Sequence, residues 1–238
     1  MKPDVLGRAL NDFFLHGRLV GPLLLHTSYG ETEEMPVDVF FRQPGDFPEL
    51  ERIALSLCEG RILDVGAGVG SHALYLQTLS RDVTALECSP LACQIMHRRG
   101  VQKVIQGDFF QYEGERFDTL LLMMNGIGLA GMLAQLPALL RRCRILLRVD
   151  GQVLADSSDI RYLYEDGIKR PETGYYGEIR YQYEYRDWRG EQFPWLYVDQ
   201  QTLTAVAHRE GWSLEILYVD PYDQYLFRLK LSEEGSTT

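Results

Sequence analysis

From residue 61 onward, short apolar runs alternate with amphipathic stretches, and this constrains the chain more than any other feature it carries. Residues 61–65, 83–87, 104–106, 117–124 and 152–155 have the length and composition of strands. Residues 71–79, 90–98 and 129–147 repeat their apolar positions with the period of a helix. Parallel neighbours need a crossover, which a helix supplies, so strands alternating with helices on short loops predict a parallel sheet covered on both faces. Near the C-terminus the order changes. Residues 201–209 read as a helix ended by Gly211, and residues 213–219 and 225–231 as two strands joined by the turn Asp220-Pro221-Tyr222-Asp223. The predicted fold is α/β, a doubly wound and mostly parallel seven-stranded sheet that finishes in an antiparallel hairpin.

The 238 residues suit a single domain, 1–238, with residues 1–59 as a helical cap and lead-in. In that lead-in, Leu6, Ala9, Leu10 and Phe13 share one helix face closed by Gly17; an irregular stretch rich in Gly and Pro follows, then a helix over residues 48–58. Residues 156–200 are longer than a crossover needs and carry 11 of the 27 aromatic residues, which marks them as an insertion with a surface of its own. Ile179, Tyr181, Tyr183 and Tyr185 alternate with polar residues, as do Phe193, Trp195 and Tyr197 beyond Arg189-Gly190, so the insertion reads as a small antiparallel hairpin. It serves as a small accessory sheet packed on the domain, as a contact between two copies of the chain, or as a lid over a substrate.

A composition of 45% hydrophobic and 24% charged residues excludes disorder, and a net charge of −10 argues against gripping nucleic acid through a broad basic face. Cys58, Cys88, Cys93 and Cys143 form no CxxC pair and read as reduced thiols in a cytoplasmic protein, with no metal site. The N-terminus lacks a basic start followed by an apolar stretch, and no apolar run approaches a membrane span. The polar tail 232–238 is predicted to be mobile.

In a doubly wound sheet, ligands bind at the carboxyl ends of the strands, near the point where strand order reverses. At the end of the first predicted strand of the sheet stands Asp64-Val65-Gly66-Ala67-Gly68-Val69-Gly70. Glycines allow a tight turn and close approach of a ligand, and the following helix start offers free amides. Glu87 ends the second strand, Gly107-Asp108-Phe109 the third and Met124-Asn125-Gly126 the fourth. Ser71 stands where the third glycine of a dinucleotide fingerprint would fall. Asp64 would repel a pyrophosphate but suits an ammonium, Glu87 suits a ribose diol, and Asp108 can accept from an adenine amine. Glycines here could serve only the turn, but the matching groups at three further strand ends favour a ligand; His72 could contact a carboxylate, and helix-start polarity and packing explain it equally.

These stretches resemble the class I S-adenosylmethionine-dependent methyltransferases. Residues 62–70 (ILDVGAGVG), 84–90 (TALECSP), 106–110 (QGDFF) and 117–131 (FDTLLLMMNGIGLAG) look like that family's successive motifs, in the family's order, and residues 146–158 are similar to the strand that follows. Val149-Asp150-Gly151 departs from the proline-glycine-glycine of many members. Residues 124–131 with 156–165 also resemble a bacterial branch of the superfamily. The resemblance implies a Rossmann-like methyltransferase fold and S-adenosylmethionine as cofactor, with S-adenosylhomocysteine as product. It implies Gly66 and Gly68 around the cofactor's amino-acid part, Glu87 on the ribose, Asp108 and the Phe109 amide at the adenine, and the Asn125 region beside the sulfonium; Asp64, Ala67, Gly70, Cys88 and Met124 complete the predicted binding set.

The expected activity is methyl transfer to a small-molecule nucleophile, partly apolar or aromatic, with Asp159, Asn125 and Tyr162 as predicted bases or orienting groups. A general base is optional, since an amine must lose a proton where a carboxylate need not. DNA amino-methylating members usually carry Asn/Asp-Pro-Pro-aromatic where this chain has Asn125-Gly126-Ile127-Gly128. The alternatives are a nicotinamide oxidoreductase and a non-catalytic cofactor-binding or scaffold protein.

Overall fold

The computed structural model describes residues 3–165 and 168–232, so the tail predicted to be mobile lies, after Ser232, outside the described residues. The chain opens with α1 (Val5–His16), β1 (Leu23–Thr27), β2 (Thr32–Glu34) and α2 (Glu49–Ser56). The alternating part runs β3 (Arg61–Val65), α3 (Ser71–Thr78), β4 (Asp82–Glu87), α4 (Pro90–Arg99), β5 (Val104–Gln106), β6 (Phe117–Leu122), α5 (Leu136–Leu146) and β7 (Leu147–Ser158). It is followed by β8 (Glu178–Tyr185), β9 (Trp188–Arg189), β10 (Phe193–Leu196), α6 (Gln200–Arg209), β11 (Trp212–Val219) and β12 (Gln224–Leu231).

The predicted sheet of seven strands is present, in the order β11-β12-β7-β6-β3-β4-β5. Its strands are parallel from β7 to β5 and antiparallel at β12 and β11. Strand periodicity assigns each side chain to a face. Ile62 and Leu121 enter one core, which α2, α3 and α4 close with Ala54, Leu76 and Met96. Leu63, Val65, Leu120 and Leu122 enter the other, closed by Leu139 and Leu140 of α5 and Leu203 of α6. Each fully buried leucine contributes about 1.5–3 kcal/mol. After β5 the chain crosses back to β6 on the other side of β3, so the order reverses between β3 and β6 and a crevice opens at their carboxyl ends.

Three elements differ from their predicted extents. The helix over residues 129–147 begins only at Leu136, because Gly128 and Gly131 lie against β10: a Cβ at Gly128 would stand 2.2 Å from Trp195 Nε1, and one at Gly131 3.0 Å from the Pro194 ring. The strand over residues 117–124 stops at Leu122, since Met124 and Asn125 turn into the left-handed region. Strand β7 extends in both directions beyond residues 152–155, paired to β12 as far as Ser158.

The larger correction concerns residues 1–59, where the irregular stretch holds β1 and β2. Strand β1 pairs antiparallel with β8, from Leu23 opposite Tyr185 to Thr27 opposite Tyr181, and β8 pairs with β10, Tyr181 opposite Phe193. The predicted hairpin is thus part of a five-stranded antiparallel sheet, β10-β8-β1-β2 with β9 on β8. Asp4, the N-cap of α1, accepts from the Ser89 hydroxyl at 2.6 Å and so ties this N-terminal part to the start of α4.

The chain entering β8 passes close to the chain leaving β10. A Cβ at Gly177 would stand 1.8 Å from the Tyr197 carbonyl oxygen, while the Tyr197 amide donates to the Gly177 carbonyl at 2.8 Å. The Tyr197 backbone bounds the space on one side and the Tyr175 ring, 2.8 Å away, on the other, so Gly177→Ala is expected to lower the unfolding free energy by about 1–3 kcal/mol. The urea midpoint reads this directly, and an unchanged midpoint would show that the join yields freely.

Candidate active site

The turn after β3 is built on three glycines in the left-handed region, Gly66, Gly68 and Gly70, with φ of 69°, 56° and 83°. It hangs from β4, the Gly66 and Ala67 amides donating to the Leu86 carbonyl at 2.8 and 3.1 Å. The three glycines face different surroundings. A Cβ at Gly66 would meet nothing within 4 Å and one at Gly68 only the Phe40 ring at 3.7 Å, whereas one at Gly70 would stand 2.7 Å from Val101 and 3.0 Å from Met96. The first two keep a space open; the third lets α3 approach α4.

Two carboxylates flank the turn. Glu87, at the end of β4, is buried and accepts from the Gly68 amide at 2.9 Å and the Ser89 amide at 2.8 Å. The neighbouring Cys88 thiol also donates to it, and burial together with the Glu87 charge pushes that thiol up to about 12. Asp64 lies behind the turn, and its Oδ2 is buried with no hydrogen-bond partner among the described residues. Burial lifts its carboxyl to about 6, against the pull of His72. His72 in turn bonds Glu51 of α2 at 2.9 Å, and Glu51 pairs with Arg42. Burial lowers the His72 pKa, but the bond to Glu51 and the charge of Asp64 outweigh it and the net shift is upward. The Arg42 Nε is buried without a partner. Sequence reasoning missed Arg42 and Glu51: both precede the glycine turn, and neither sits in a motif.

The turn after β6 is held from below. Asp156 accepts from the Asn125 amide at 2.8 Å, the Gly126 amide at 3.3 Å and Gln224 Nε2 at 2.9 Å. Burial raises its carboxyl to about 6 despite those bonds. The Asn125 side chain donates to the Leu196 carbonyl at 3.1 Å, which ties this turn to the second sheet.

Between the glycine turn and the second sheet lies a cavity of about 330 Å³. Asp64, Gly66, Ala67, Gly68, Glu87, Cys88 and Met124 of the predicted binding set line it, as do Arg42 and His72. The opposite wall carries Tyr181, Tyr183, Phe193, Trp195 and Tyr197, closed by Leu6 and Leu10 of α1. Tyr181 and Tyr197 share a hydrogen bond of 2.9 Å between their hydroxyls.

The other predicted residues stand elsewhere. Asp108 is exposed and caps the short turn after β5 by accepting from the Phe110 amide at 2.8 Å, while the Phe109 ring is buried in the core. Asn125 sits one residue behind the lining. Asp159 accepts from the Tyr176 hydroxyl at 2.7 Å and pairs with Arg161 at 3.2 Å, and Tyr162 is half-exposed and does not line the cavity. Among the described residues, no group of three or more His, Cys, Asp or Glu side chains is placed to hold a metal ion.

Residues 63–155 match the family model described as a methyltransferase domain. The chain is similar to a SAM-dependent methyltransferase from Bacteroides fragilis, solved in complex with S-adenosyl-L-homocysteine: 40% identity, TM-score 0.88, covering 96% of this chain and 95% of that one. More distant likenesses, which concern the fold alone, include the methyltransferase CcbJ from Streptomyces caelestis (16% identity, TM-score 0.59, 82% of this chain and 95% of that one). Another is the sugar N-methyltransferase KedS8 from a Streptoalloteichus species (19% identity, TM-score 0.57, 86% of this chain and 96% of that one). None of the curated proteins matches the chain.

The different surroundings of the glycines lead to different expectations. Gly66→Ala should lose about 1–2 kcal/mol of stability through left-handed strain alone. Gly70→Ala should lose about 1–3 kcal/mol more, because its methyl group would press on Val101 and Met96. Urea unfolding of the ligand-free variants measures both, and equal losses would mean that the two positions do the same work.

Proposed function

The chain belongs to the class I S-adenosylmethionine-dependent methyltransferases, and on that premise we propose that it methylates a small, partly apolar or aromatic molecule held between the glycine turn and the second sheet. It is an enzyme that uses S-adenosylmethionine. The residues present fit that cofactor: the buried, unpartnered Asp64 Oδ2 suits a cation, and side chains at Gly66 and Gly68 would project into the space the turn leaves open. In this reading Asp64 receives the ammonium of the amino-acid part, and Arg42, with its buried free Nε, receives the carboxylate. Glu87 takes the ribose hydroxyls, and Asp108 with the Phe109 amide, at the end of β5, takes the adenine. Gly70 supports the turn from behind.

When bound, the cofactor supplies a methyl group made electrophilic by its sulfonium; the acceptor lone pair forms the new bond as the sulfur–methyl electron pair returns to sulfur. The chain's own task is to hold the acceptor in line and to exclude water. The observation that carries the acceptor reading is the division of the cavity: its carboxylates, imidazole and guanidinium lie on the side of the glycine turn, together with the Phe40 and Phe47 rings, while the wall formed by the second sheet carries aromatic rings and no charged lining side chain. That aromatic face lines the cavity, which supports a wall for the acceptor over a contact between two copies of the chain. Of the three predicted orienting residues, Asn125 is closest to this space through its neighbours Met124 and Gly126. Asp159 is engaged with Tyr176 and Arg161. A nicotinamide cofactor is not favoured, because its pyrophosphate would meet the Asp64 carboxylate. Nucleic acid is not favoured either, given the net charge of −10. No helix of the described residues is long and apolar enough to cross a membrane. Incubation with labelled S-adenosylmethionine and a pool of small metabolites should transfer label to a small product; label in tRNA or DNA, at rates falling steeply with salt, would overturn the acceptor reading.

Asp64 must be ionised to hold an ammonium, and its carboxyl titrates at about 6. Affinity for S-adenosylhomocysteine is therefore expected to rise as pH increases through that value and then level off, with binding about 10-fold weaker one pH unit below it. Asp64→Asn should flatten the profile at the low affinity. The ligand-free protein responds in the opposite sense. A carboxyl raised above its unfolded value stabilises the fold most at acid pH, and that contribution fades as pH rises towards about 6. Calorimetric titration across this range tests the assignment, and a pH-independent affinity in the wild type would remove Asp64 from the ammonium site.

A further inference from the structure

The aromatic wall contains one hydroxyl that the fold does not use. Of the three tyrosines lining the cavity, Tyr181 and Tyr197 satisfy each other, whereas the Tyr183 hydroxyl has no hydrogen-bond partner among the described residues. The Trp195 indole nitrogen is packed over Gly128, where a Cβ would stand 2.2 Å from it. Tyr183 is held in the middle of the second sheet, opposite Leu25 of β1, and its ring packs on Phe193 with centroids 5.5 Å apart. Tyr183 is half-buried and lines the cavity, so its hydroxyl is not sealed in the core and a ligand in the cavity can supply the missing partner. Burial pushes its phenol up to about 12, so at neutral pH it is a neutral group that can both donate and accept.

The charges of the cavity add a second constraint. Arg42, Asp64, His72 and Glu87 are its charged lining side chains, and they belong to the network around the glycine turn. Against the second sheet an anionic group would be desolvated with no side-chain cation to meet it. A protonated amine there has no lone pair with which to accept a methyl group. Both considerations leave an uncharged acceptor with one polar handle.

We propose that Tyr183 is the polar anchor of the acceptor site, and that the acceptor is an uncharged, ring-bearing molecule whose hydroxyl or neutral amine group hydrogen-bonds the Tyr183 hydroxyl. This inference rests on the methyl-transfer reading given above and specifies the substrate class of the same site. Tyr183 acts here by binding and positioning; the new bond forms at the acceptor's own lone pair as the sulfur–methyl electron pair returns to sulfur, and the proton left on the methylated oxygen or nitrogen passes to water as the product is released.

The test uses the full chain and three simple probes, phenol, toluene and benzoate, titrated into protein saturated with S-adenosylhomocysteine and followed by ligand-observed NMR. Phenol is expected to bind about 2- to 10-fold more tightly than toluene, the range of one ordinary hydrogen bond, and benzoate more weakly than either. Tyr183→Phe should bring phenol down to the level of toluene while leaving toluene affinity, S-adenosylhomocysteine affinity and the urea midpoint unchanged. A purely structural tyrosine would move the midpoint and leave the phenol–toluene ratio alone. Equal binding of phenol and toluene to the wild type, a preference that survives Tyr183→Phe, or benzoate binding most tightly would each overturn the proposal. Titration of S-adenosylhomocysteine alone comes first: no binding there overturns the methyl-transfer reading and this inference together, whereas normal binding with no phenol preference overturns the Tyr183 assignment alone.

Discussion

The pairing of β1 with β8 gives an open crevice its second wall. A doubly wound sheet provides only the crevice at its switch point, here between β3 and β6, with the glycine turn on one side. The opposite wall is made from two segments far apart in the chain, joined by backbone hydrogen bonds from Leu23 to Thr27 and from Tyr181 to Tyr185. Without that register Tyr181 and Tyr183 would have no fixed position. A slip of one residue would turn them away from the cavity, because side chains alternate faces along a strand. Leu10, Leu23 and Tyr185 share a core with Ala92 and Ile95 of α4, so the second sheet is anchored to the first by apolar packing as well as by the Asp4–Ser89 bond.

The charges at the glycine turn carry a folding penalty that a ligand can relieve. Asp64 is buried deeply enough for its carboxyl to rise from 3.8 to about 6, a disfavouring of the ionised form by about 3 kcal/mol. Arg42, Glu51 and His72 form a linked chain beside it, yet Arg42 Nε and Asp64 Oδ2 stay unpaired. A buried pair normally satisfies its remaining donors and acceptors, because desolvation otherwise exceeds the Coulombic gain. In the reading proposed above, a zwitterionic amino-acid group would complete both atoms at once.

Most of the sheet was legible because its signals are local. The runs giving β3, β4 and β6, the glycine turn, and the acids at the strand ends each lie within a few residues of one another. The elements that escaped depend on distant partners. Residues 23–27 contain Leu23-Leu24-Leu25, a run with no alternation, and they become a strand because β8 lies beside them. The helix predicted from residue 129 yields to Gly128 and Gly131 because Trp195 and Pro194 occupy the space beside them. The candidate site divides in the same way: Asp64, Gly66, Gly68 and Glu87 follow from the motif, while Arg42, and Glu51 which pairs with it, come to the site only through the tertiary path of the lead-in. Asp156 reads in sequence as one more acid after a strand, and its part in holding the β6 turn depends on β7 lying parallel to β6.

That β6 turn shows why a strained backbone persists where glycine would relieve it. Met124 and Asn125 both have positive φ, 62° and 57°, a conformation that costs a non-glycine residue about 1–2 kcal/mol. Asp156 offsets this by accepting from the Asn125 and Gly126 amides, and Gln224 fixes Asp156 in place. Two glycines would fold into the same turn with less strain. They would lack the Met124 side chain, which lines the cavity facing the glycine turn, and the Asn125 amide, which grips the Leu196 carbonyl at the end of β10. The strained residues therefore link the two walls: one contributes surface to the cofactor side and the other holds the strand that carries Phe193 and Trp195. Strain of this kind survives when the surrounding structure over-determines it, and here the bonds that do so come from β7, β10 and β12.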